Sequence, residues 1–197
     1  MKTSKIISMV CAAAMTVSLL GGCSNSEENV SEAETTVATE PAKEYKYKLS
    51  NPNANETTLE IYNYLCENFG TSMLSCQQES TWKGSPEYEM DYILETTGKL
   101  PAMRGLDYMN ADFDGVNKRA IEWWNKGGLV TICWHTGING KGYNESKEDV
   151  PDFDKLLTEG TEEYNNMIAN WDKAAEALVE LRDAGVTVMW RPFHEFD

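Results

Sequence analysis

From about residue 50 onward, four short apolar runs alternate with amphipathic stretches, and this alternation constrains the fold more than any other feature of the chain. Asn55-Glu56-Thr57-Thr58 precedes Leu59, Tyr62, Leu65 and Cys66 at helical spacing, and Gly70 ends the stretch. Thr71 to Gln77 reads as a first strand. Ser85-Pro86-Glu87 opens a helix with Tyr88, Tyr92 and Leu94 on its apolar face, and Gly98 closes it. Leu100 to Tyr108 is a second strand, residues 114–126 a helix bearing Ile121, Trp123 and Trp124, and Leu129 to His135 a third strand. A long loop over 136–160 leads into a helix over 161–184, with Tyr164, Ile168, Trp171, Ala175, Leu178 and Leu181 facing inward. Gly185 stops it before the last strand, Val186 to Phe193. Strands alternating with helices imply an α/β protein with a parallel sheet and helices outside it. Such units continue into an open doubly wound sheet or close into an eight-stranded (β/α)8 TIM barrel. No Gly-x-Gly-x-x-Gly follows a strand and no phosphate-binding P-loop is present, which weighs against nucleotide binding. A barrel needs eight strands and roughly 250 residues. Four strand candidates therefore correspond to about the first four β/α units of one.

Side chains alternate along a strand. In the last strand Thr187, Met189, Arg191, Phe193 and Glu195 share one face, and Val186, Val188, Trp190 and Pro192 the other. The Val-bearing face suits packing against helices, which turns the face carrying Glu195 toward the barrel axis. In the third strand, Thr131, Cys133 and His135 share a face, and Val130, Ile132 and Trp134 the opposite one. His135, His194 and Glu195 thus converge at the carboxyl ends of strands, where barrel enzymes carry their chemistry. His135 and His194 are the only two histidines in the chain. Two histidines and a carboxylate are a metal-ligand set in kind. In a regular strand, however, His194 and Glu195 face opposite ways, and no His-x-x-x-His spacing occurs, so no metal and no other cofactor is expected. Asp107 and Glu79 also follow strands and read as solvated loop or N-cap carboxylates.

Trp190-Arg191-Pro192-Phe193-His194-Glu195 resembles the acid/base motif of glycoside hydrolase family 26, the β-mannanase family. Gly128 to His135 resembles its upstream Trp-His strand, 60 positions before Glu195, and Pro101 to Tyr108 resembles its second strand. The resemblance covers about residues 55–197. It implies an endo-acting β-mannan hydrolase that retains anomeric configuration. Glu195 would be the proton donor that becomes the base of the second step. His194 would stand beside it, and His135 would contact the sugar; Trp134 is expected either to stack on a sugar ring or to pack in the core. Trp190, Phe193 and Phe196 around Glu195 are an environment able to raise its pKa, as an acid catalyst requires. The family's nucleophile is a second Glu on a later strand, so these 197 residues alone are expected to be inactive. Mixed-linkage β-glucan or xylan hydrolysis is the alternative within the family. A non-catalytic glycan-binding surface lipoprotein is the alternative outside it.

The first residues carry a different message. Lys2 and Lys5 precede an apolar stretch from Ile6 to Leu20 that ends in Leu20-Gly21-Gly22-Cys23. This pattern reads as an export signal over residues 1–22. The last four residues resemble the lipobox of bacterial lipoproteins, which implies cleavage before Cys23, lipidation of its thiol, and a cell-surface protein held on the membrane by acyl chains. Residues 23–49 are rich in Ser, Thr and Glu and read as a solvated tether, leaving 50–197 as the catalytic part. A net charge of −15 argues against nucleic acid as a partner, since binding a polyanion wants basic surface. Behind the leader, Cys66, Cys76 and Cys133 make an odd set without paired spacing, so neither a disulfide framework nor a zinc motif is expected. Cys76 and Cys133 read as small buried strand residues.

Overall fold

The structure is a computed structural model that describes residues 43–137, 142 and 144–194. The leader, Cys23, and the tether up to residue 42 lie outside the described residues. Four strands form one parallel sheet in chain order: β1 (Cys76–Gln78), β2 (Met103–Asp107), β3 (Leu129–Cys133) and β4 (Val188–Arg191). The helices are α1 (Glu56–Asn68), α2 (Tyr88–Thr97), α3 (Phe113–Asn125), α4 (Phe153–Leu156) and α5 (Glu162–Asp183). This order is that of the first β/α units of a (β/α)8 barrel, and it bears out the α/β reading.

Local chemistry explains the boundaries. Asn55, Asp112 and Thr161 cap α1, α3 and α5, each accepting a backbone N–H three residues on. Gly98 closes α2 in a left-handed conformation, φ 69°, that a Cβ would strain. Before α1, the Tyr47 backbone exchanges two hydrogen bonds with the Asn63 side chain, at 2.8 and 2.9 Å, which fixes that segment to the helix.

Register sorts the side chains into two faces. Arg104, Leu106, Val130, Ile132, Val188 and Trp190 point to the helix side. There Leu106, Val130 and Ile132 pack with Met90 of α2, Val116, Ala120 and Trp123 of α3, and Ala174, Ala177 and Leu181 of α5. Gly105, Asp107, Thr131, Cys133, Met189 and Arg191 point to the other face. Gly105 leaves room there for the Gln78 side chain: a Cβ would lie 2.3 Å from its amide oxygen, which would have to swing aside.

Several expectations are corrected. The first strand is short and late, because Thr71 and Ser72 donate backbone bonds to the Asn68 carbonyl and complete the exit from α1. Cys76 is exposed rather than buried, whereas Cys133 is buried. On α2 the expected apolar face is exposed at Tyr88, Tyr92 and Leu94, and the buried residue is Met90. Arg104 grips Glu87 and the Pro86 carbonyl at the start of this helix, fixing which side meets the sheet. On α5 the buried stripe is Asn170, Ala174, Ala177 and Leu181, while Ala175 and Ile168 are exposed. Polar anchors explain the shift. Asn117 of α3 donates to the Ala177 carbonyl at 2.8 Å, and Asn170 donates to Thr136 at 3.3 Å. The segment over 136–160 is not all loop, since α4 lies within it and buries Leu156.

Glu79 is not a solvated loop carboxylate. Its side chain is 0 % exposed. It accepts from Arg104 at 2.7 and 3.1 Å and from Arg119 of α3 at 2.8 Å. Charge pairing of this kind is what makes burial of a carboxylate tolerable.

Candidate active site

Asp107, Cys133 and Arg191 occupy one level across β2, β3 and β4, so the strands deliver their carboxyl ends to a common rim. His135 follows β3 by two residues on the inward-facing side. Asp107 holds it twice. One carboxylate oxygen accepts the His135 backbone N–H at 3.0 Å, and the other lies against the ring Nδ1. The first oxygen also accepts the Met109 backbone N–H at 3.0 Å. Asp107 is therefore a site residue rather than a solvated loop carboxylate. Its signal in the sequence was only its place at a strand end. The partner that gives this place meaning lies 28 residues away on the neighbouring strand.

His194 reaches the same point by a break in alternation. Strict period two would send Phe193 inward and His194 outward. Phe193 instead has φ 54°, a left-handed conformation that is unfavourable for a bulky residue. The turn leaves Phe193 65 % exposed against Trp171, with ring centroids 4.6 Å apart. It brings His194 onto His135, with Nε2 to Nε2 at 3.1 Å and the rings nearly perpendicular at 84°. The expected convergence of the two histidines is thus present. The next residue, Glu195, lies outside the described residues.

A cleft of about 510 Å³ opens above the histidines, walled by Trp134, Trp171, Trp190, Phe193, Phe153 and Leu157. Trp134 is 8 % exposed, belongs to the core cluster, and meets Phe113 edge-on at 5.5 Å. Most of its ring is engaged in packing, and it contributes to the wall of the cleft rather than standing free in it. An apolar, aromatic-walled cleft with a few polar groups at its base is the general form of a site for an organic ligand.

Asp107, Cys133, His135 and His194 each offer a donor atom, all within 4.8 Å of one another. The geometric reason for expecting no metal, that His194 faces away, is therefore removed by the turn at Phe193. The donor chemistry still favours hydrogen bonding. Burial first, then the negative charge of Asp107, pushes the Cys133 thiol up to about 12, so it remains an S–H that donates to the Leu106 carbonyl at 3.6 Å. An ion bound by the whole set would have to ionise that thiol and break the Asp107–His135 bond.

The sequence model of the family described as Glycosyl hydrolase family 26 matches residues 50–197. A mannan endo-1,4-β-mannosidase of Thermothelomyces thermophilus is 30 % identical over 180 residues, covering 82 % of this chain and 36 % of the relative. The mannan endo-1,4-β-mannosidase A and B of Caldalkalibacillus mannanilyticus is 34 % identical over 165 residues, covering 76 % of this chain and 32 % of the relative. Among solved structures, a ruminal family 26 endo-β-1,4-mannanase superposes with a TM-score of 0.63 at 31 % identity, over 75 % of this chain and 35 % of the other. The chain spans about a third of the length of these relatives.

Proposed function

This chain belongs to glycosyl hydrolase family 26, and from that premise we propose that it carries the acid/base side of an endo-acting β-mannan hydrolase. The observation that carries the reading is the meeting of β2, β3 and β4 at one rim, where Asp107, His135 and His194 gather beside an aromatic-walled cleft, with His194 immediately before Glu195 in the sequence. Glu195 protonates the leaving glycosidic oxygen and then, as a carboxylate, draws a proton from the water that completes the second displacement. Retention of configuration requires a second carboxylate about 5–5.5 Å from the first, acting as the nucleophile. The family resemblance assigns it to a later strand. His135 and His194 contact the sugar near the cleaved bond, and the aromatic walls of the cleft pack against apolar ring faces.

The test is hydrolysis of β-mannan, mixed-linkage β-glucan and xylan by the protein expressed from its complete reading frame. Mannan should be cleaved fastest. Glu195→Ala should lower kcat on polysaccharide by about 10²- to 10⁴-fold. The same variant should lose much less in the glycosylation step on aryl mannosides, whose leaving groups need little protonation. Equal losses on both substrates would remove Glu195 from the acid role, and a preference for glucan or xylan would move the protein to the alternative substrate class.

The same reading includes attachment at the cell surface through lipidated Cys23. Its support is the run Leu20-Gly21-Gly22-Cys23 behind a basic, apolar start. Cys23→Ala should release the protein from the membrane fraction or leave the precursor unprocessed. Unchanged membrane association together with unchanged processing would refute it.

A further inference from the structure

We propose that Asp107 is a positioning residue that locks the neutral histidines into one pair of tautomers, His135 protonated on Nδ1 and His194 on Nε2. An ionised carboxylate only accepts hydrogen bonds. Asp107 already accepts two backbone N–H groups on one oxygen, from Met109 and His135. Its other oxygen faces the His135 Nδ1, which must therefore carry the hydrogen. In a neutral imidazole the opposite nitrogen then carries no hydrogen and can only accept. That nitrogen, Nε2, faces the His194 Nε2 at 3.1 Å, so the His194 nitrogen must donate. Every other neutral combination places two lone pairs, or two N–H groups, against each other at one of these contacts.

The carboxylate thus acts on His194 through His135, although it touches only the latter. It is itself well held, on β2 with its side chain 13 % exposed and with three donors around it. Holding the His135 backbone as well as its ring leaves that residue little freedom to rotate. Carboxylates that fix a functional histidine in this manner set both its tautomer and its orientation. The consequence for chemistry rests on the family 26 reading above. His194 immediately precedes Glu195, so a single tautomer and orientation of its ring gives the acid/base carboxyl a constant neighbour.

Substituting Asn for Asp107 tests the lock without changing the shape of the side chain. The amide oxygen would take the two backbone N–H groups, and the amide NH₂ would face the His135 Nδ1. That nitrogen would then have to accept, and both tautomers would invert. The measurement is ring ¹⁵N–¹H correlation spectroscopy at about pH 8, above the ordinary histidine range. Only two histidines contribute, and His194→Asn assigns them. The wild-type spectrum should show His135 as the Nδ1–H form and His194 as the Nε2–H form. Asp107→Asn should exchange the two patterns, and Asp107→Ala should give averaged signals. A wild-type His135 in the Nε2–H form, or tautomers unchanged by Asp107→Asn, would overturn the proposal. If both variants fail to fold, the wild-type spectrum still decides the assignment. In the complete enzyme, Asp107→Asn should lower kcat by about 10- to 100-fold, by analogy with losing the carboxylate that orients a metal-bound histidine, with KM little changed. Locked tautomers in a protein without glycosidase activity would uphold this proposal and refute the mannanase reading. Tautomer inversion with full activity would refute the role assigned to Asp107.

Discussion

Glu79→Ala removes a carboxylate that lies between two guanidinium groups. Arg104 and Arg119 both bond Glu79, at 2.7 and 2.8 Å, with side chains 3 and 14 % exposed. Removing one partner of a buried pair costs about 3–5 kcal/mol, because a desolvated charge is left behind. Two features place this case near the lower end. Arg104 keeps Glu87, at 2.7 and 3.0 Å, and the Pro86 carbonyl, at 3.0 Å. Arg119 stands 3.5 Å from the exposed Asp112 and can turn toward water. A loss of about 3 kcal/mol follows, which for a chain of this size lowers Tm by roughly 6–12 °C. The control is Glu87→Ala. Glu87 is 42 % exposed and leaves the Glu79–Arg104 pair intact, so solvent screening keeps its loss under about 1 kcal/mol. Urea denaturation followed by circular dichroism, with thermal melts alongside, measures both variants. Glu79→Ala within about 1 kcal/mol of wild type, or equal to Glu87→Ala, would show that water reaches the pair and that the burial argument fails.

Two further outcomes follow from buried polar groups. The Cys133 thiol ordinarily ionises near 9.0 and is pushed up to about 12 in the fold. Between those values the unfolded chain loses a proton that the native state keeps, so stability is full below pH 9 and falls as pH rises beyond it. Cys133→Ala should flatten that alkaline decline in urea titrations, and iodoacetamide at mildly alkaline pH should modify the exposed Cys76 well before Cys133. Asn117→Leu strips the Tyr108 hydroxyl of its 2.7 Å acceptor, a loss worth about 1–3 kcal/mol, and removes the 2.8 Å side-chain donor to the Ala177 carbonyl, which keeps its place in the α5 helix ladder. Tyr108→Phe in the Asn117→Leu background should cost less than Tyr108→Phe alone, and a strictly additive double-mutant cycle would disprove that the two residues act as a unit.

The order of strands and helices was legible in the sequence because its causes are local. Asn55, Asp112 and Thr161 cap the helices that begin just after them, and Gly98 ends α2 where a left-handed residue is needed. The strings around His135 and His194 were legible for a related reason. A motif is a short run on one strand, and its end is marked by the turn that follows. What lay beyond reach were relations between elements. Asp107 pairs with His135 only because β2 and β3 run parallel in a register that sets Asp107 beside Cys133. Glu79 is buried because Arg104 and Arg119, 25 and 40 residues away, close over it. The stripe on α5 moved because small alanines and polar Asn170 face partners on other elements, and hydrophobic periodicity is blind to such pairings. His194 turned inward through one left-handed residue, Phe193, whose strain is tolerated only where surrounding packing compensates for it. Periodicity and capping act within a few residues and leave their mark on composition. Register, charge burial and backbone strain are set by groups far apart in the chain, and only the folded arrangement brings those groups together.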